Sequence, residues 1–258
     1  MIALSCDPYQ TGSLGMYGEW AAAECSLLCS FLKPGFCALD IGANIGSITV
    51  ALAKKVGPSG LVLAFEPQRP AYFCLCGNVA LTHTINQTRC FNVAVSDSDQ
   101  VVQVPVVNLQ KPFNVGGVRI GDEHYDQACN LPKEDVPCVA IDQFDLERVD
   151  LMKIDVESME AKVLKGASAT IARCRPVVLA EALFDDGYGR EDANLAAMLE
   201  FFLNQKYEAR FAPTPLCSPD NLRFCPDAIF PGGDRNLVAV PSEQTKPTWW
   251  NQLEDACK

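Results

Sequence analysis

The chain has 258 residues and a net charge of −11, with 32 acidic against 21 basic side chains. Its length suits one α/β domain whose buried surface needs no disulfide or metal staple. The acidic balance, with no Lys/Arg-rich stretch, argues against nucleic acid and anionic membranes as partners.

In chain order, residues 19–32 read as a helix with Leu27, Leu28, Phe31 and Leu32 on its apolar side, ended by Pro34-Gly35. Residues 1–35 are therefore expected as an N-terminal helical segment, with no basic n-region or apolar core of a signal peptide, so the expected location is cytoplasmic. Strand 37–41, helix 46–55, strand 61–65, helix 69–81 and strand 90–95 alternate as a parallel sheet requires. The stretch 98–139 breaks that alternation, and 101–107 and 117–120 read as added antiparallel strands. Strand 150–155, helix 158–171, strand 176–181 and helix 191–204 resume it, and 207–211 with 236–241 closes the sheet as an antiparallel pair.

The expected fold class is α/β: a Rossmann-like, mostly parallel sheet with an antiparallel final strand and a β insertion between the third and fourth core strands. It fills 36–241 and leaves a tail, 242–258, whose Trp249-Trp250 pair would dock on the body or on a second copy, making an oligomer possible through the tail. No apolar run reaches the roughly 18 residues of a membrane span.

Two segments carry the chemistry. In the first, the apolar run 37–41 ends at Asp40 and turns through Gly42-Ala43-Asn44-Ile45-Gly46 into a helix, and the next strand ends at Glu66. A glycine turn followed by an acid at the second strand end is the layout of a nucleoside-binding βαβ unit, the acid taking the ribose hydroxyls. A dinucleotide site has glycine where this chain has Asn44, because the backbone must approach a pyrophosphate. S-adenosylmethionine has no phosphate, and its cations suit carboxylate and amide oxygens, so it fits better than NAD. Ligands of open α/β sheets sit at the carboxyl ends of the strands. The adenosyl group should then meet Glu66 and Pro67, then Val95 and Ser96, with the sulfonium near Asp40, Asn44 and the end of the strand that carries Asp155.

The second segment is Leu151-Met152-Lys153-Ile154-Asp155-Val156-Glu157. Lys153, Asp155 and Glu157 alternate, so they share a face if the strand continues that far. Charged side chains on a core strand need partners, and a simpler account has Lys153 and Glu157 neutralising each other.

Taken together, Asp40 to Gly46, Phe65-Glu66-Pro67, Ala94-Val95-Ser96-Asp97 and Lys153 to Glu157 resemble, in order, the signature blocks of FkbM-type methyltransferases. Lys165-Gly166-Ala167 also stands in its expected place, and the resemblance runs from about Tyr17 to Glu181. It implies a class I enzyme that uses S-adenosylmethionine to methylate a hydroxyl, on a sugar or polyketide-like small molecule. It also implies that Tyr17-Gly18-Glu19-Trp20 covers the methionine end of the cofactor. One departure is Ser158, where the family usually has glycine. A non-catalytic nucleoside-binding module of the same fold is the alternative that Ser158 supports, and an NAD-dependent oxidoreductase is the one that Asn44 opposes.

Methyl transfer from a sulfonium is an in-line displacement in which the protein aligns the acceptor oxygen and takes its proton. Asp155 is the expected base, with Glu157 or Glu181 as its acidic neighbour and Lys153 positioning it or stabilising alkoxide charge. His124, in the insertion, is a second candidate base, whereas His83 sits in a polar turn. Asp155, Glu157 and Glu181, with Asp122, Glu123 and Asp126, offer oxygen ligands for Mg²⁺. No histidine adjoins the Asp-Val-Glu triplet, and the expectation is catalysis without metal. The 13 cysteines contain no C-x-x-C pair and are expected as free, mostly buried thiols, with Cys217 and Cys225 the one pair to test for a bridge.

Overall fold

The computed structural model describes residues 1–182, 191–215, 221–223 and 233–256. Two helices lead in, α1 (Gln10–Tyr17) and α2 (Ala22–Ser30). Gly18 at φ 76° ends α1, and Ala21 at φ 53° delays α2, so the single expected helix starts later than its apolar pattern implied. The βαβ unit follows as β1 (Cys37–Ile41), α3 (Ser47–Val56), β2 (Leu61–Phe65), α4 (Arg69–Leu81) and β3 (Thr88–Phe91). Beyond it come β4 (Ala94–Val95), β5 (Gln100–Pro105), α5 (Glu123–Cys129) and β6 (Lys133–Val139). The core resumes with β7 (Leu151–Ile154), α6 (Glu160–Gly166), α7 (Ser168–Cys174), β8 (Val177–Glu181) and α8 (Glu191–Asn204), then β9 (Tyr207–Pro215), β10 (Gly233–Pro241) and β11 (Glu254–Asp255).

The main sheet has the order β11-β9-β10-β8-β7-β1-β2-β3. Neighbours from β8 through β3 are parallel, and the β10 and β11 pairings are antiparallel. β1 and β7 lie at its centre with every residue buried. Alternation splits β1 between two cores: Leu39 and Ile41 face Met152, Leu164 and Phe202, while Ala38 faces Leu52, Val62 and Trp250. The parallel register sets Asp40 beside Lys153, which decides the electrostatics of the site.

Three expectations are corrected. The strand expected at 90–95 divides: Asn92 turns the chain out of the main sheet by donating to the Glu66 and Pro67 carbonyls at 2.8 and 3.0 Å. β4 then pairs with β6 in a second sheet of order β4-β6-β5. Residues 117–120 form no strand, because Asn114 accepts from the Gly117 N–H and closes a turn there; β6 pairs with β5 instead. Pro137 in β6 is tolerated because β4 covers only Cys138 and Val139, leaving an open edge beside the proline. The helix expected at 158–171 breaks at Gly166-Ala167, where a Cβ on Gly166 would stand 2.0 Å from the Ser96 carbonyl oxygen. The tail docks on the body, one of its two expected places: β11 pairs with β9, Trp250 is buried, and Trp249 meets Phe31 edge-on at 5.6 Å. Among the described residues no helix is long and apolar enough to cross a membrane.

Candidate functional site

The glycine turn after β1 exists because two strand ends touch through their backbones. A Cβ on Gly42, at φ +81°, would lie 1.7 Å from the Asp155 carbonyl oxygen, so no side chain fits. The Gly42 and Ala43 N–H groups both donate to the Phe65 carbonyl, at 3.0 and 2.9 Å, and lock the turn to β2. Asn44 takes a left-handed φ of 49° and donates its N–H to Glu66 Oε2 at 2.8 Å. Gly46, at φ +87°, opens α3 against Leu75.

Beneath the turn, Lys153 is 2% exposed and Asp40 is fully buried. The Lys153 Nζ donates to the Gly42 carbonyl at 2.8 Å and pairs with Asp155 Oδ2 at 3.1 Å and Asp40 Oδ1 at 3.6 Å. Thr49 donates its hydroxyl to Asp40 Oδ2 at 2.5 Å. Burial alone would lower the lysine pKa, but Asp155, Asp40 and Glu24 overcome it and raise the pKa above its ordinary value. Lys153 is therefore a permanent cation that holds both the turn and Asp155. Asp155 itself is 40% exposed at the cavity wall.

β7 stops at Ile154, and the backbone then reverses through Glu157 at φ 54° and Ser158 at φ 76°. Strand alternation thus ends before Glu157, yet the turn still brings Glu157 into the cavity with Lys153 and Asp155. Ser158 stands at a left-handed position where glycine is unstrained, and among the described residues its buried hydroxyl has no hydrogen-bond partner. Glu160, which sequence reasoning missed, braces this reversal. Its carboxylate accepts from the Val156 N–H at 3.0 Å and from Asn194 at 2.7 Å, and burial pushes it up to about 7.

Two joined cavities open at these strand ends. The larger, about 570 Å³, is lined by Asn44, Glu66, Lys153, Asp155, Glu157 and Glu181, and on its far wall by Tyr9, Trp20, Glu24 and Arg119. The smaller continues past Glu66 into an apolar slot of Phe65, Pro67, Val93, Val95, Val118 and Met159. An acid between a polar chamber and an apolar slot suits a nucleoside, with the base in the slot and the ribose at the acid. Burial pushes Glu66 up to about 7, against the pull of the Gln68 and Asn44 N–H groups that its oxygens accept. Each oxygen keeps a lone pair for a ribose hydroxyl. Among the described residues the Asn44 side-chain oxygen is buried without a partner, and a cofactor ammonium would satisfy it.

The roof comes from the N-terminal segment and the insertion, and the sequence motifs pointed to neither Asp7 nor Gln68. Buried Asp7 accepts from the Tyr9 and Gln10 N–H groups at 2.9 Å and from the Val115 N–H at 3.1 Å. Gln68 donates to the Val115 carbonyl at 2.5 Å, joining the roof to the turn that holds Glu66. Cys6, Val107, Val115 and Val118 pack beneath it.

The remaining expected residues fall in three places. Asp40 and Gly46 stand behind the cavity wall as supports. Ser96 lines neither cavity; its N–H donates to the Val139 carbonyl, its own carbonyl meets Gly166, and neighbouring Asp97 pairs with Lys165 at 2.8 Å. Two of the sequence blocks thus contact each other. The side chain of His124, in α5, lies outside the described residues, as do Cys217 and Cys225. Among the described residues, the carboxylates that converge are Asp155, Glu157 and Glu181, with ligand atoms within 4.8 Å of one another. Asp122, Glu123 and Asp126 are not in that group and line neither cavity; Asp126 pairs with Lys133. Ten described cysteines, among them Cys6, Cys74 and Cys138, are free thiols.

Comparison with known proteins supplies the family. The model of the methyltransferase FkbM domain matches residues 40–209. Methyltransferase sdnD of Sordaria araneosa is 29% identical over 154 residues, covering 50% of this chain and 59% of that protein. AMB antimetabolite synthetase AmbE of Pseudomonas aeruginosa is 29% identical over 200 residues, covering 63% of this chain and 9% of that protein. The chain therefore spans less than two thirds of either relative. A methyltransferase FkbM structure from Methylobacillus flagellatus KT superposes with a TM-score of 0.51 at 16% identity, over 83% of this chain and 50% of that one, a likeness of fold.

Proposed function

This chain belongs to the FkbM family of S-adenosylmethionine-dependent methyltransferases, and from that premise we propose that it methylates a hydroxyl of a sugar or other small natural product, with Asp155 as the base. The observation that carries the reading is the position of Asp155. It lines both cavities, its Oδ2 is held by buried Lys153, and its carboxylate remains partly exposed. S-adenosylmethionine supplies a methyl group already activated by its sulfonium. Glu66 would hold the ribose, the slot beyond it the adenine, and Asn44 the methionine ammonium. Lys153 stays protonated, so it cannot take the acceptor's proton; it fixes Asp155 and offsets alkoxide charge. Glu157 and Glu181 stand beside Asp155 and orient the acceptor. Alignment of the acceptor with the methyl group contributes several kcal/mol.

Catalysis proceeds without a metal, because Lys153 already supplies the cation that Asp155 faces. Transfer of a labelled methyl group to a panel of hydroxylated acceptors tests this, with EDTA and then with added Mg²⁺. Activity unchanged by EDTA, and lowered roughly 100-fold or more in Asp155→Asn, supports the base. Activity that vanishes with EDTA and returns with Mg²⁺ makes the carboxylates metal ligands instead.

A further inference from the structure

We propose that Glu160 and Asn194 are positioning residues for methyl transfer: together they fix the turn that aims Asp155 and Glu157 at the reacting group. This rests on the reading of Asp155 as the base. The turn needs an outside hold, because Glu157 and Ser158 stand at left-handed φ, 54° and 76°. Residues with side chains keep such angles only where their surroundings impose them. The entry to the turn is fixed by the Asp155 N–H, which donates to the Ile41 carbonyl at 3.0 Å. The next amide, Val156 N–H, lies between the two carboxylates in the chain and donates to Glu160 Oε1 at 3.0 Å.

Glu160 is 1% exposed, and its Oε2 accepts from Asn194 Nδ2, in α8, at 2.7 Å. The Asn194 amide is held in that orientation because its own oxygen accepts from the Ala161 N–H at 3.1 Å. Position 160 therefore faces two fixed donors, one at each side-chain oxygen. A carboxylate accepts at both, whereas the amide of a glutamine would set its NH2 against one of them. A buried donor left without an acceptor is costly, so the turn selects an acid here rather than its neutral isostere. The bonds run from α8 through Glu160 to the backbone between Asp155 and Glu157.

The same donor and acceptor logic supplies a reciprocal exchange. Glu160→Gln alone sets an amide NH2 against a donor, and Asn194→Asp alone sets one carboxylate against another. In Glu160→Gln/Asn194→Asp every bond returns. The new amide oxygen accepts from Val156, its NH2 donates to the new carboxylate, and that carboxylate still accepts from the Ala161 N–H.

The test compares sinefungin, which carries an ammonium where S-adenosylmethionine carries its methyl group, with S-adenosylhomocysteine, which carries nothing there. Titration calorimetry at pH 8 keeps Glu160 ionised, since burial raises it to about 7. Wild type should prefer sinefungin about tenfold, the gain of one charge-assisted hydrogen bond. Each single variant should reduce that preference to about twofold or less, because displaced carboxylates no longer meet the ammonium, and the double variant should restore it. S-adenosylhomocysteine should bind all four proteins within about threefold, since Glu66 is undisturbed. A plain charge effect would instead move the two single variants in opposite directions. A purely structural role would lower their melting temperatures and leave the preference intact. Either result overturns the proposal, as does a double variant that stays low. If Glu160→Gln does not fold, Asn194→Ala replaces it, and an unchanged preference there overturns the proposal too. Wild type that binds S-adenosylhomocysteine without preferring sinefungin is a different result and contradicts the placing of Asp155 at the methyl group.

Discussion

Replacing Lys153 with methionine keeps most of the side-chain volume and removes the charge that three oxygens share. The Gly42 carbonyl loses a donor at 2.8 Å, and Asp155 and Asp40 lose their cation at 3.1 and 3.6 Å. Asp155 can turn to water, but Asp40 is fully buried and retains only the Thr49 hydroxyl. Stranding one member of a buried pair costs about 3–5 kcal/mol. That is a large share of the roughly 5–15 kcal/mol that holds a domain together. At about 2–4 °C per kcal/mol for a domain of this size, the melting temperature should fall by roughly 10 °C. Scanning calorimetry of Lys153→Met reads the loss. The double variant Lys153→Met/Asp40→Asn, which removes the stranded charge, should recover part of it. A single variant that melts within about 2 °C of wild type would refute the claim that Asp40 depends on this lysine.

Gly42→Ala should be poorly folded or lose S-adenosylhomocysteine binding, since its Cβ would stand 1.7 Å from the Asp155 oxygen; circular dichroism and titration calorimetry check both. Ser158→Gly should stabilise by about 1 kcal/mol, by relieving a left-handed residue and deleting a buried hydroxyl without a partner, read as a higher denaturant midpoint. Burial raises Glu66 to about 7, so the folded state binds a proton that the unfolded chain releases near its ordinary carboxylate value. The resulting cost is full above about pH 7 and disappears towards pH 4.5, amounting to roughly 3 kcal/mol. Glu66→Gln should therefore gain stability on wild type at pH 8 but not at pH 5. Ribose hydroxyls favour the ionised Glu66, so ligand binding near pH 6 should release a proton; calorimetry in buffers of different ionisation heat measures it, and Glu66→Gln should abolish it.

Much of this was legible because the informative residues are short-range in sequence. Gly42, Asn44 and Gly46 announce a turn, and Glu66 closes the next buried run, so the βαβ unit and its ligand class follow from local pattern. Lys153 and Asp155 were marked by charge within an apolar run, and the register with Asp40 explains how that run tolerates them. What stayed hidden depends on distant pairings. β6 has Pro137 and a charged start, and only its pairings with β5 and β4 make it a strand. Asn92 looks like any loop residue until its amide is seen holding the Glu66 and Pro67 carbonyls. Asp7 lies 108 positions from the Val115 N–H that it accepts, a separation that no local pattern reveals. Glu160 carried one unused signal, an acid in the first turn of a helix directly after the Asp-Val-Glu triplet.

The central claim is that the joined cavities at Gly42, Glu66 and Asp155 hold S-adenosylmethionine for transfer. Titration calorimetry with S-adenosylhomocysteine addresses it most directly, on wild type and on Glu66→Ala. The account predicts one binding site per chain with micromolar affinity for wild type, and a large loss in the variant while the fold persists by circular dichroism. A folded wild-type protein that gives no heat at millimolar ligand, or a variant that binds as tightly as wild type, would contradict it.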